Sequence, residues 1–69
     1  MSSKVWWMVV SGVNCSHLWD GMVFDKLKDA TVFYHNNIDP CCVKLLRQES
    51  KDKYSPAHKT ETLKHRCRA

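Results

Sequence analysis

Four cysteines and four histidines carry most of the chemical potential of this 69-residue chain. Most of them fall in three places: Cys15-Ser16-His17, Cys41-Cys42 and His65-Arg66-Cys67. Thiolate and imidazole are the donors zinc prefers. Cys15, His17, His65 and Cys67 are therefore a candidate zinc set, with Cys41 or Cys42 as a substitute ligand. A bound ion would staple a small domain to its C-terminal part. Two features weigh against it. The one-residue gaps differ from the common C-x₂₋₄-C knuckle and suit extended backbone, and the second pair falls in a predicted helix. On the sequence alone no cofactor is assigned.

The adjacent cysteines follow Asp39-Pro40, which reads as a helix start. Asp can cap by accepting from an early backbone N–H, and Pro fits the first helical position, where a missing N–H costs nothing. Within a helix, neighbours point about 100° apart, so Cys41 and Cys42 have different surroundings. Cys42 aligns with Leu45 and Leu46 and is expected to pack. Cys41 lies off that stripe in a first turn whose dipole favours a thiolate, which makes it a candidate reactive thiol. Ordinary disulfide geometry disfavours a bond between the two, whose Cα atoms lie too close and whose small ring would distort the helix. Bridges among Cys15, Cys41 or Cys42, and Cys67 would need an oxidising compartment.

Catalytic signatures are absent. The chain has no G-x-S-x-G, no glycine-rich phosphate loop and no recognisable carboxylate pair. His58, Glu61 and His65 form H-x-x-E-x-x-x-H, which is not the H-E-x-x-H of metalloproteases and reads as a solvated polar face. A non-enzymatic protein is expected.

The elements that must position these residues read as follows. Residues 4–10, KVWWMVV, are β-branched and aromatic, a strand with apolar groups on both faces. Residues 21–35 are ambiguous. Val23, Phe24, Leu27, Ala30, Thr31 and Tyr34 share one helical face, whereas ATVFY favours a strand; the helix is preferred. A helix over 40–50 and a weak one over 56–66, opened by Ser55-Pro56, complete a small α+β or mostly α fold. Residues 1–50 would form the core domain and 51–69 a basic, partly ordered tail, because Tyr54 and Leu63 are the only large apolar residues there.

Charge divides the same way. Residues 1–35 balance Lys4, Lys26 and Lys28 against Asp20, Asp25 and Asp29, so the net +4 belongs to the second half. An apolar, Trp-rich front and a basic tail suggest an interaction protein: an accessory factor or subunit of a larger assembly that meets an acidic partner. Trp6, Trp7, Lys44, Arg47, Lys51, Lys53, Lys59, Lys64, Arg66 and Arg68 are its candidate contacts. Self-association through the apolar front fits the same pattern. Two alternatives compete. Helices 21–35 and 40–50 would make a helix–turn–helix-like pair for RNA or DNA, with the basic residues on phosphates. A secreted peptide stapled by two disulfides is the other. No run is long and apolar enough for a membrane span. The N-terminal stretch has the outline of a secretory signal, but bulky Trp6 and Trp7 and the want of an A-x-A-like cleavage site favour an intracellular protein. The unusual residue balance is that of a viral accessory protein or young reading frame.

Overall fold

The computed structural model describes residues 3–14 and 17–67. Its elements run β1 (Lys4–Asn14), β2 (His17–Phe24), α1 (Leu27–Asn36), β3 (Cys42–Ser50) and β4 (Lys59–Cys67). The strands form one antiparallel sheet in the order β2-β1-β3-β4. The expected multi-helix fold is thus corrected to a four-stranded sheet with one short helix.

Each correction has a local cause. The N-terminal strand extends from the expected 4–10 to Asn14 and is central, paired on both sides, which explains its apolar residues on both faces. The stretch 21–35 contains both readings in succession. Met22, Val23 and Phe24 pair with Val9, Met8 and Trp7, and the helix begins only at Leu27. The expected helix over 40–50 is instead the second central strand. In extended form Val43 and Leu45 point to one face, Cys42 and Leu46 to the other, and both backbone edges are paired. Those two ladders override the helical leaning of LLRQE. Asp39 and Pro40 lie in a bend before β3 rather than capping a helix, a position where the missing proline N–H interrupts no ladder. The expected helix over 56–66 is the edge strand β4. With neither of the second helices formed, the helix–turn–helix-like pair is absent as well. Residues 51–67, expected as tail, supply a loop and this strand.

Helix α1 covers one face of the sheet. Val9, Val43 and Leu45 meet Ala30 and Tyr34 in the core, flanked by Trp7, Phe24 and Phe33. Ala30 and Tyr34 are one helical turn apart, so they present a single inward stripe. Phe24 and Phe33 close one end with ring centroids 5.4 Å apart. The opposite sheet face has no helix. Trp6 is nonetheless buried there: its indole N–H donates to Ser50 Oγ at 2.9 Å, and Tyr54 from the β3–β4 loop packs edge-on at 5.5 Å. That loop is held from outside too, since Tyr54 Oη donates to the Asp25 carboxylate and Lys53 Nζ lies 3.2 Å from it. Tyr54 sits at φ 66°, in the left-handed region, which a non-glycine residue adopts only when its surroundings hold it there.

Candidate functional site

Two places on this scaffold combine chemistry with access. The first is the end of the β3–β4 ladder, where Cys42 lies opposite Cys67 and Lys44 opposite His65. A register shift decides which face these residues occupy. Pairing steps from Leu46↔Thr62 to Leu45↔Lys64, so Leu63 is an extra residue in β4. Such a bulge reverses the inward–outward alternation beyond it. Before Leu63, Lys59 and Glu61 share the helix side with Glu49 and Arg47. After it, Lys64 and Arg66 take that side, and His65 and Cys67 turn toward Cys42 on the helix-free face. Cys42 Sγ then lies 3.3 Å from His65 Nε2. The donor atoms of Cys42, His65 and Cys67 all lie within 4.8 Å of one another. Cys42 is fully buried, while His65 and Cys67 are open to solvent. Cys41, Cys42 and Cys67 stand outside any disulfide.

Arg66, between His65 and Cys67, points the other way and has a structural task. Its guanidinium lies over the Tyr34 ring, 5.0 Å from the centroid. It also donates to the carbonyls of Asn37 and, at 3.5 Å, Tyr34. These groups belong to the C-terminal end of α1, where carbonyls lack intrahelical partners and a cation is favoured.

The second place is edge strand β2. Its sequence, HLWDGMVF, contains no Lys or Arg, and among the described residues its outer side has no neighbouring strand. Met22 and Val23, on opposite faces of the sheet, are 50% and 39% exposed. Beside Met22 an open cleft of about 350 Å³ lies between the sheet and the end of α1, with Val9, Ser11, Phe33, Asn37 and Pro40 among its walls. The other edge, β4, differs: KTETLKHRC is rich in charge and almost wholly exposed, the usual protection against pairing with other chains.

No protein-family model, curated protein or solved structure matches this chain. Its function must be argued from its own geometry.

Of the candidate zinc set, His65 and Cys67 come together and Cys42 joins them; Cys15 and the side chain of His17 lie outside the described residues. The signal for the cluster was the single-residue spacing of His65 and Cys67, which puts both on one face of a strand but not of a helix. Cys41 is exposed in the bend before β3, away from any helix N-terminus, so the dipole invoked for it is absent. Among the candidate partner contacts, Trp6 is buried and Trp7 packs against the core. Arg47 pairs with Glu49 at 3.3 Å, Lys53 with Asp25, and Arg66 is engaged at α1. Lys51, Lys59 and Lys64 are exposed, Lys44 is half-buried, and Arg68 lies outside the described residues. Among the described residues no helix is long and apolar enough to cross a membrane.

Tyr54 and Asp25 shape one another's ionisation. The hydrogen bond from Tyr54, then that from Lys53, holds the Asp25 carboxyl below the ordinary carboxylate range. The same carboxylate pushes the Tyr54 phenol up.

Proposed function

We propose that the protein is a small, non-enzymatic interaction protein that docks a partner protein along β2. The observation carrying this reading is the contrast between its two sheet edges. One is rich in charge and exposed; the other is uncharged except for Asp20 and His17, carries exposed Met22 and Val23, and is bordered by a cleft. A partner segment added beside β2 would satisfy its outer N–H and C=O groups, and alternate side chains of that segment would reach the cleft. Main-chain bonds supply affinity in this mode and the pockets supply selectivity. The lysines of β4 keep the opposite edge solvated. The two tryptophans of the front contribute by building the sheet that presents β2, not by touching the partner.

The test joins recovery to location. Proteins recovered with the full chain are compared with those recovered by a Met22→Lys/Val23→Lys variant, and amide hydrogen exchange is measured with the purified partner. Expected are partners lost in the variant and new protection confined to β2. Recovery unaffected by the two lysines, or protection at β4 instead, would refute docking at β2. A homodimer sealed through β2 and broken by the same substitutions would assign the edge to a second copy and also overturn the partner reading.

A further inference from the structure

We infer that Cys42, His65 and Cys67 form a binding site for a thiophilic divalent cation of the zinc type. The site is independent of the docking at β2, on the opposite side of the sheet order. Two sulfurs and one imidazole nitrogen are a donor set that selects zinc over hard, oxygen-seeking cations. Their spacing fits as well. With Zn–S about 2.3 Å and Zn–N about 2.0–2.1 Å, a tetrahedral ion holds its sulfurs about 3.8 Å apart and sulfur and nitrogen about 3.6 Å apart. The observed Cys42–His65 distance of 3.3 Å and the 4.8 Å limit on all three donors span those values. Adjustments of a few tenths of an ångström on an exposed edge strand close the difference.

The three donors are also placed by backbone pairing rather than by flexible side chains alone. Cys42 faces Cys67 directly across the ladder, and His65 is the next residue of β4 on that face. The Leu63 bulge is what puts His65 and Cys67 on the side of Cys42. Binding follows a simple balance. The ion takes a lone pair from each sulfur and from His65 Nε2, the two thiols release their protons to water, and the imidazole keeps its proton on Nδ1. Three protein ligands leave a fourth tetrahedral position for water or another donor. The consequence for the fold is a clamp. β4 buries almost nothing along its length, and an ion at its last residues would fasten it to the first residue of β3.

Cobalt(II), which absorbs visibly when held tetrahedrally by thiolates, is the probe. The full chain, kept reduced, is titrated with cobalt chloride and then with zinc chloride. Expected are thiolate-to-cobalt and tetrahedral bands that saturate at one ion per chain and vanish as zinc displaces cobalt. Cys67→Ser and His65→Ala lie on the exposed strand, so they test the ligands without emptying the core as Cys42→Ser would. In Cys67→Ser the charge-transfer intensity should fall by roughly half, with one of two metal–sulfur bonds gone. In both variants the affinity should fall at least about ten-fold, the scale seen even for outer-shell changes. Circular dichroism of each metal-free variant checks that the sheet persists, and zinc should raise the Tm of the parent chain but not of either variant. Absence of tetrahedral bands in the parent chain, or bands unchanged in either variant, overturns the site. So does a Cys42–Cys67 disulfide that resists reductant and blocks cobalt uptake, because those directly opposed sulfurs would then be bonded to each other.

Discussion

Arg66 lies with its guanidinium 5.0 Å from the centre of the Tyr34 ring while donating to carbonyls at the end of α1. The contact joins edge strand β4 to α1, across the sheet's covered face. It also explains why a strand with so little apolar burial stays in register.

Replacing Arg66 with Ala should therefore destabilise the whole domain. Charged hydrogen bonds of this kind contribute about 1.5–3 kcal/mol, and a cation over a ring at a half-open position about 0.5–1 kcal/mol. A net loss of roughly 2 kcal/mol is expected once overlap is allowed for. In a domain of this size that is on the order of 10 °C in Tm. Lys at this position keeps the charge but not the planar fork, so it should recover only part of the loss. Thermal unfolding of R66A and R66K measures both. A Tm unchanged in R66A would mean the clamp is idle.

Adjacent tryptophans offer a matched comparison. Trp6 donates its indole N–H to the buried Ser50 hydroxyl, whereas the buried Trp7 indole N–H meets no acceptor among the described residues. Trp→Phe removes the same atoms from each, but only Trp6 loses a bond. W6F is expected to cost about 1 kcal/mol more than W7F. Ser50→Ala, which would strand the Trp6 donor in the interior, should cost about 1–3 kcal/mol. Denaturant unfolding of the three variants decides the order; W7F as the worst of them would contradict it.

The Asp25–Tyr54 contact predicts a pH dependence with two limbs. The Asp25 carboxyl is held below its ordinary 3.8, so its contribution is present above that value and is lost as pH falls through the lower folded-state pKa. The Tyr54 phenol is raised above its ordinary 10.0. Its contribution is present below that value and disappears as pH rises through the higher folded-state pKa. The difference in Tm between the parent chain and D25N should be constant near neutrality and shrink toward zero in acid. Y54F should remove the alkaline limb. A gap that persists unchanged into strong acid would place the effect elsewhere.

How much of this was legible in the sequence depends on where each residue sits in the sheet. KVWWMVV announced a strand because β-branched and aromatic residues suit pleated backbone on either face. Asp39-Pro40 and Ser55-Pro56 misled, because the same pairs that open helices also serve as bends before strands. VKLLRQE misled further, since its helical leaning is a matter of a few tenths of a kcal/mol per residue, and two complete ladders outweigh it. KTETLKHRC has no apolar stripe of any period, so only its neighbour makes it a strand. The candidate metal residues follow the same rule: type and spacing single out His65 and Cys67 and offer Cys41 or Cys42 as a further donor, but which of the two faces them depends on a pairing register that composition does not reveal. The β2 edge is hidden in the sequence because Val23 and Phe24 also fit the helical face of Leu27, Ala30 and Tyr34.

Leu63 gives the molecule a phase. Every residue after it in β4 faces the side that its odd or even number would otherwise forbid. Were Leu63 to pair opposite Leu45 in an unbroken ladder, Arg66 would leave Tyr34 and the His65–Cys67 pair would be aimed at the helix, whereas a strand lacking Leu63 would keep Lys64, His65, Arg66 and Cys67 opposite Leu45, Lys44, Val43 and Cys42. The clamp on α1 and the sulfur–imidazole cluster are thus set by one step in the pairing register and stand or fall together. Register beyond Thr62, rather than the length of the strand, is the property on which both depend.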